Sequence, residues 1–396
     1  MRAAARRIAL GLALTAAGAG VAGCGGDSTG EEAYATKVAV YVGVPTRGPW
    51  AGPGLALARG AQLALADSGG GAGDYSVRLS IRDTTDDDGV AVSAAGASRE
   101  AGNFLRDVGT IGAISGIEPV TIRQWAILAG QTGVAYVTAN GGQTGATRAD
   151  LAPRGPRLGV DLSTPDARIA RAVGARVRAA SCSTTILVQA QGAGAGRRFD
   201  TPAVDEDVRL LGSAWTDPQL VTGLGQALRR GADCVVLAGE PSAGDAADLL
   251  GPLVAQLQGR RIFLTRGAAS GGVAQLARRE RLRAEAVVDD PAPDGDALTR
   301  RIDALHRRYF GTPAPAGVMA GWRAMKLMLR AVEGAGPEGG NRRDDVADAL
   351  VAARVPAPPA EAAQRPDGTV AATAVGLARP AAYGWRVVRD LDAPAR

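Results

Sequence analysis

The sequence alternates between short apolar runs typical of buried strands and longer segments with apolar residues at helical spacing, and it does so twice. In the segment 55–66, for example, Leu57, Ala58, Ala61 and Leu65 follow a helical spacing. Strands are predicted at residues 38–44, 77–81, 109–114 and 135–138, and again at 185–188, 208–211, 234–237, 261–264 and 286–288. Helices are predicted at residues 55–66, 91–108, 119–129, 165–179, 217–230, 243–258 and 273–279. Alternating strands and helices predict a parallel sheet covered on both faces, and the repetition predicts an α/β protein of two doubly wound parallel-sheet lobes joined by a hinge.

The C-terminal part departs from this alternation. Three helices are predicted at 298–310, 318–332 and 342–353, and closing strands within 376–388. The predicted boundaries are 37–160 with 291–355 for the first lobe, and 161–290 with 356–396 for the second. Open α/β sheets bind ligands outside the carboxyl ends of their strands, so two facing lobes predict a cleft that hinge closure can bury.

The N-terminal segment 1–23 has the pattern of a secretory signal, with a basic start and an apolar stretch that begins at Ile8. Its end, followed by Cys24, resembles the bacterial lipobox, in which the cysteine is lipidated and becomes the mature N-terminus. We expect Cys24 to carry lipid, with 24–36 as a flexible tether, because two acyl chains suffice for stable membrane anchoring. The alternative is an ordinary signal peptide with a chance cysteine.

Charge and histidine content exclude several functional classes. The full sequence has 45 Lys and Arg residues and 40 acidic residues, a net charge of +5. Three of the arginines lie in residues 1–23, so the net charge without that segment is +2. No basic run is interleaved with aromatic residues, so no nucleic-acid partner is expected. The one histidine, His306, lies in a charged helical run and is expected at the surface. With one histidine in that setting, most catalytic sites of the Ser-His or Cys-His type and most zinc sites are disfavoured. We therefore expect no catalytic residues, metal or cofactor.

The two remaining cysteines, Cys182 and Cys234, form an even pair in a chain expected in an oxidising compartment. Cys182 precedes the predicted strand 185–188 and Cys234 begins the strand 234–237, and these are the first and third strands of the second lobe. Because the first and third strands of a doubly wound sheet are neighbours, a disulfide is predicted. The alternative is two small buried apolar side chains.

Several segments together resemble the type I periplasmic binding proteins, in particular the leucine/isoleucine/valine-binding group of ABC importers. The segment 38–54 has a strand followed by a Gly-Pro-aromatic-Ala-x-x-Gly loop, here beginning at Gly48. A helix with Gly60-Ala61 and a small apolar repeat follows, and the segment 79–89 resembles the family's second strand with its acidic turn. The resemblance covers roughly 37–390, and it implies two lobes, a ligand between them, and a permease as partner.

In the family, a ligand carboxylate lies at the start of a helix of the first lobe, where free N–H groups favour an anion. The matching segment here contains Ser115, Glu118 and Thr121, and Glu118-Pro119 stands where the family usually has Ser or Thr pairs. Either Glu118 caps the helix and points away, or the ligand is not a simple carboxylate. Further contacts of the first lobe are expected from the following residues: Thr138 and Asn140 after the fourth strand, and Arg47 and Trp50 in the first loop.

The second lobe is expected to contribute Gln189, Gln191, Glu240 and Arg266 from its strand ends. The family commonly uses an aromatic and an acidic residue there to hold the side chain and the ammonium of an amino acid. Glu240 falls near the aromatic position and Gly267 near the acidic one, so the usual ammonium contact is not reproduced. Glu240 is either a substitute that pairs with a ligand ammonium or a solvated loop residue.

The sequence therefore predicts a lipid-anchored, extracytoplasmic substrate-binding protein of an ABC importer. It binds a small polar, amino-acid-like molecule between two lobes, and its partners are an ABC permease and, through Cys24, the membrane. A sensory or orphan receptor of the same fold is the alternative, and a degenerate member that binds nothing is another. An enzyme is disfavoured because the one Gly-x-Ser-x-Gly match, at 26–30, lies in the tether without a strand–turn–helix context.

Overall fold

The computed structural model describes residues 36–87, 93–140, 159–190, 208–290, 296–357, 360–362, 364–366, 368–370 and 375–391. The first lobe begins with β1 (Lys37–Val44), α1 (Ala51–Asp67), β2 (Gly71–Ala72), β3 (Tyr75–Asp83), α2 (Ala94–Arg106), β4 (Thr110–Ser115), α3 (Pro119–Thr132), β5 (Ala135–Thr138) and β6 (Gly159–Asp161). Its sheet has the order β2-β3-β1-β4-β5-β6, and all pairs except β2-β3 are parallel. All residues of β4 and β5 are buried, as expected for central parallel strands with helices on both faces.

The second lobe repeats this order. It comprises α4 (Asp166–Ala179), β7 (Thr185–Ala190), β8 (Val208–Gly212), α5 (Pro218–Arg229), β9 (Cys234–Gly239), α6 (Ala246–Leu250), α7 (Val254–Leu257), β10 (Arg261–Thr265), α8 (Gly271–Arg279) and β11 (Arg283–Val288). The order β8-β7-β9-β10-β11 corresponds to β3-β1-β4-β5-β6, strand for strand. Thus β9 is the equivalent of β4, because each is the third strand of its series and lies beside the first.

The C-terminal elements divide between the lobes. They are α9 (Ala297–Phe310), α10 (Val318–Gly334), α11 (Arg343–Ala352), the hairpin β12 (Val355–Ala357) and β13 (Ala360–Ala362), and the strands β14 (Gly376–Ala381) and β15 (Gly384–Asp390). Helices α9 and α10 contact α1, and α11 contacts β4, β5 and β6. Strands β14 and β15 extend the second sheet in antiparallel fashion beyond β11. The chain therefore passes between the two sheets after β6, after β11 and before β14.

Helices α1 and α10 approach closely because glycines line their contact. A Cβ at Gly321 would overlap the carbonyl oxygen of Leu57, and one at Gly60 would overlap that of Val318. The absence of side chains lets the two backbones touch. This contact fixes the helical return against the first lobe.

Two expectations from the sequence are wrong. The helix predicted at 243–258 is broken into α6, a 3₁₀ turn (Gly251–Leu253) and α7, and Pro252 in that turn cannot donate a backbone hydrogen bond. His306 is buried rather than exposed, since its ring packs against Phe310 and its Nδ1 lies 2.7 Å from the carbonyl oxygen of Thr312.

The disulfide between Cys182 and Cys234 is present, with their Cα atoms 5.9 Å apart. Strands β7 and β9 are parallel neighbours, and Thr185 pairs with Cys234 in their register. The bond therefore joins the amino ends of the first and third strands, as predicted. No helix among the described residues combines the length and apolar character needed to span a bilayer.

Candidate functional site

The carboxyl ends of the strands in the two sheets face each other, and most of the predicted site residues lie there. Ser115 ends β4, Thr138 ends β5 and Gln189 lies near the end of β7, and all three are buried. Helix α3 of the first lobe contacts the 3₁₀ turn Pro241–Ala243 of the second. The 3₁₀ turn Gly48–Trp50 likewise contacts α8. The lobes thus touch on the side of their strand ends.

The loop that leads from β4 to α3 is tightly constrained. Ile117 has a φ of 74°, which is rare for a β-branched residue, and its N–H donates to the carbonyl oxygen of Asn140 at 2.5 Å. A Cβ at Gly116 would lie 2.6 Å from the side-chain oxygen of Asn140. Strained backbone of this kind persists only where the surroundings enforce it, and it is concentrated at functional sites. Here it sets the position of the next residue, Glu118.

Glu118 caps helix α3. Its Oε2 accepts a hydrogen bond from the N–H of Thr121 at 2.9 Å, and Pro119 occupies the first turn. The side chain is fully buried, and its Oε1 has no hydrogen-bond partner within the described part of the chain. The structure confirms the cap, which is one half of the first possibility that the sequence left open; whether Glu118 points away from a ligand stays a prediction. The anion position at this helix end is occupied by a carboxylate of the protein itself.

Burial raises the pKa of Glu118 to about 7 from an ordinary value of 4.5. Hydrogen bonds from the N–H groups of Thr121 and Val120 act in the opposite direction. The charge of Glu240, on the second lobe, raises this pKa further, whereas that of Arg123 lowers it. Two carboxylates from opposite lobes therefore act on each other across the cleft.

Ser115 and Thr121 differ in what their hydroxyls contact. The Ser115 hydroxyl forms a hydrogen bond with the Tyr136 hydroxyl, which donates to the carbonyl oxygen of Ile122 at 3.0 Å. Burial also raises the pKa of Tyr136. The Thr121 hydroxyl is buried and has no partner among the residues that the structure describes. The Ser115 hydroxyl therefore supports the packing of α3, and a ligand contact of Thr121, in the first turn of that helix, stays a prediction.

Arg47 and Trp50, both in the first loop, differ in their exposure and in their hydrogen-bond partners. Arg47 is half exposed, its Nε lies 2.5 Å from Oδ2 of Asp83, and its Nη2 donates to the carbonyl oxygen of Asp86 at 3.1 Å. Burial opposes ionisation of Asp83, but hydrogen bonds from Thr46, Arg47 and Thr85 outweigh it and lower its pKa to about 2. Trp50 is buried, and its Nε1 has no hydrogen-bond partner in the described ranges. Arg47 is thus engaged within its own lobe, and Trp50 offers a donor.

On the second lobe, Glu240 follows β9 and precedes the 3₁₀ turn Pro241–Ala243. Trp215, which the sequence analysis missed, is fully buried against Gly239, where a Cβ would overlap its ring. The backbone N–H of Trp215 donates to the carbonyl oxygen of Ala243 at 3.1 Å, which ties the tryptophan to the turn. An isolated tryptophan after a strand candidate gives little sequence signal, because apolar packing explains it equally well.

Arg266 lies at the end of β10 but is already engaged in ion pairs. Its guanidinium donates to the carbonyl oxygen of Thr164 at 2.9 Å and to Oδ1 of Asp166 at 2.6 Å, and it pairs with Asp289. Its charge is thereby balanced by protein carboxylates, so a ligand contact for Arg266 stays a prediction. At the neighbouring Gly267 a Cβ would overlap the carbonyl oxygen of Gly239, so no acidic side chain fits there in this arrangement. Gln191 lies outside the described residues.

Buried charges also line the connections between the lobes, which sequence reasoning missed. Asp290 follows β11 and accepts hydrogen bonds from the N–H groups of Gly317 and Ala320, which caps α10 on the first lobe. Burial raises the pKa of Asp290 and of Asp161 to about 6, and burial lowers that of Arg323 to about 10. The hinge thus holds a network of charges away from water.

Comparison with known proteins gives matches in structure only. No family model matches the sequence, and no curated protein matches it. A solute-binding protein of an ABC transporter from R. palustris, solved in complex with benzoate, has a TM-score of 0.70 and 18% identity, and covers 91% of this chain and 97% of its own. The branched-chain amino acid transporter substrate-binding protein LivJ from Streptococcus pneumoniae, solved with isoleucine, has a TM-score of 0.70 and 13% identity. It covers 89% of this chain and 99% of its own. A solute-binding protein of an ABC transporter from Rhodopseudomonas palustris BisB5, solved with 3,4-dihydroxybenzoic acid, has a TM-score of 0.68 and 13% identity. It covers 91% of this chain and 98% of its own.

The chain has the fold of the type I periplasmic binding proteins. The fold class predicted from the sequence is confirmed, as is the resemblance to this group of structures. The neighbours are solute-binding proteins of ABC transporters rather than enzymes. At these identities the likeness establishes the fold, and function must be argued from the site.

Proposed function

We propose that this chain is the extracytoplasmic, lipid-anchored substrate-binding protein of an ABC importer. Its two lobes close on a small polar ligand, and a membrane permease receives the ligand from the closed form. The closed state indicates a bound ligand only if the ligand binds the closed state more tightly than the open state. A cleft whose walls come from both lobes meets that requirement, because its contacts are complete only when the lobes meet.

The observation that carries the proposal is a set of polar atoms, shielded from water, at the facing strand ends of both lobes. They are Nε1 of Trp50, Oε1 of Glu118, Oγ1 of Thr121, Nε1 of Trp215 and Oγ of Ser242, none of which has a hydrogen-bond partner among the described residues. Buried polar atoms are almost always hydrogen-bonded, and leaving one unpaired costs about 1–3 kcal/mol. A small polar ligand in the cleft would supply these partners.

A thermal-unfolding screen of the full-length protein tests the proposal. The panel contains amino acids, amides, organic amines and small organic acids. A ligand present at about one hundred times its Kd adds about 2.7 kcal/mol of stability, which raises the unfolding temperature measurably. Stabilisation by at least one class is expected, and the absence of any stabilisation would contradict a substrate-binding role.

Anchoring is tested separately by membrane fractionation of the Cys24→Ala variant. Loss of the lipidated cysteine removes both acyl chains, so the variant should leave the membrane pellet and appear in the soluble fraction. A Cys182→Ala variant is the matched control, since it removes a cysteine of the disulfide and leaves Cys24 intact. Persistent pelleting of the Cys24→Ala variant would refute lipid anchoring without bearing on ligand binding.

A further inference from the structure

The same dipeptide occurs at equivalent places in the two lobes. Strand β4 is followed by Glu118-Pro119 and strand β9 by Glu240-Pro241, and the two strands are topological equivalents. Each glutamate is the residue immediately before a helix or 3₁₀ turn that proline opens. The repeated strand order therefore places one carboxylate on each lobe at the carboxyl edge of the third strand.

The two positions lie on elements of different lobes that contact each other. Helix α3, which Glu118 caps, contacts the turn Pro241–Ala243, which Glu240 precedes. Glu118 is fully buried and Glu240 is partly buried, whereas Arg123, the cation that acts on Glu118, is exposed. An exposed arginine neutralises a buried carboxylate weakly, because water screens it. Among the described residues, the protein thus places one carboxylate of each lobe near this contact, and the cation whose charge acts on Glu118 is exposed.

The cleft is unsuited to a ligand carboxylate at this point. The N–H of Thr121, at the start of α3, is bonded to Oε2 of Glu118. A ligand carboxylate would have to displace this bond and lie beside a second negative charge from Glu240. A positively charged donor meets the opposite situation: it finds Oε1 of Glu118 and the hydroxyl of Thr121, both buried and both without a partner in the described chain.

We propose that the cleft takes a small organic cation, an ammonium or guanidinium compound, held between Glu118 of the first lobe and Glu240 of the second. This inference rests on the proposed function and names its substrate class. An N–H donor with a full charge forms short, strong bonds to carboxylates, and a ligand that reaches both carboxylates requires both lobes.

Binding is measured by titration calorimetry on the full-length protein near pH 8. The cationic probes are ethanolamine, putrescine and agmatine, and the carboxylate probes are isoleucine, benzoate and acetate. At least one cation is expected to bind, and Glu118→Gln and Glu240→Gln should each weaken its affinity by about tenfold or more. Glu333→Gln, which neutralises an exposed glutamate of α10, should leave the affinity within about twofold.

Glu118→Gln is expected to preserve the fold, because a glutamine amide oxygen can still accept the N–H of Thr121. An unfolding temperature of Glu118→Gln near pH 5 that is no lower than that of the wild type checks this. Binding of isoleucine or benzoate, with no cation bound, would overturn the inference and leave the substrate-binding role intact. Cation binding that is unchanged in both Gln variants would also overturn it. Failure of every compound, in this panel and in the wider screen, would overturn the inference and the proposed function together.

Discussion

Replacing Glu118 with glutamine should make the stability of the ligand-free protein less dependent on pH. Burial raises the pKa of this carboxyl from 4.5 to about 7, so between these values the folded state holds more protons than the unfolded state. The contribution of the proton to stability is therefore complete below pH 4.5 and is lost as the pH rises through about 7. This rise in the pKa corresponds to a change of about 3 kcal/mol in the free energy of unfolding between low and high pH.

The variant should lie within about 1 kcal/mol of the wild type near pH 5, where Glu118 is largely protonated in the folded state and glutamine resembles it in shape and polarity. Near pH 8 the wild type carries a buried charge and the variant does not, so the variant should be more stable by up to about 3 kcal/mol. The charges that act on Glu118 are those of Glu240, which favours protonation, and Arg123, which opposes it. Urea unfolding at the two pH values, followed by tryptophan fluorescence, measures the difference.

A pH-independent effect is the result that would refute this reasoning. If Glu118→Gln shifted the free energy of unfolding equally near pH 5 and pH 8, the carboxyl would be ionised in both conditions or in neither. Lower stability of the variant near pH 8 would show that the charged cap contributes more than its burial costs. Glu333→Gln on the exposed face of α10 should show no pH-dependent difference from the wild type.

Three further changes test the packing. Reduction of the Cys182–Cys234 disulfide, which joins residues 52 positions apart, should lower the free energy of unfolding by about 4 kcal/mol, measured with urea under oxidising and reducing conditions. Gly321→Ala should cost about 1–3 kcal/mol in the same assay, because its Cβ would overlap a carbonyl oxygen of α1, whereas Gly102→Ala, with open space around it, should stabilise by up to about 1 kcal/mol. Arg266→Ala should cost about 3–5 kcal/mol, because it leaves its buried aspartate partner without a counter-charge.

Each of these has an outcome that would contradict it. Unchanged urea midpoints after reduction would mean that the bond does not restrict the unfolded chain. Equal effects of the two glycine substitutions would show that α1 and α10 do not touch. A mild effect of Arg266→Ala, with unchanged ligand affinity, would mean that the ion pairs contribute little to stability or to the cleft.

The fold could be predicted because its signals are local and repeated. Apolar runs such as β4 and β7 are buried on both faces, so their burial is visible in composition alone. The disulfide followed from strand order, since the first and third strands of each series are neighbours. The break in the predicted helix 243–258 was missed because Gly251-Pro252 permits either a kinked helix or a turn, and tertiary packing decides between them.

The site was harder to predict because its electrostatics depend on two segments that are far apart in sequence. Glu118 could be placed at a helix start from its neighbours, and the cap was one of two stated possibilities. Its interaction with Glu240 follows only when the two lobes meet, and spacing along the chain carries no information about that contact. His306 was predicted at the surface because its sequence neighbours are charged. Their charge gives no sign that the His306 ring packs against Phe310.

The facing carboxylates also explain how a cation could drive closure. In the present arrangement of the lobes Glu118 is fully buried, and the charge of Glu240 on the second lobe raises its pKa. Without a cation, the closed form must therefore take up a proton or accept an unfavourable charge. A bound cation removes that penalty only in the closed form, which is the differential affinity that a conformational shift requires.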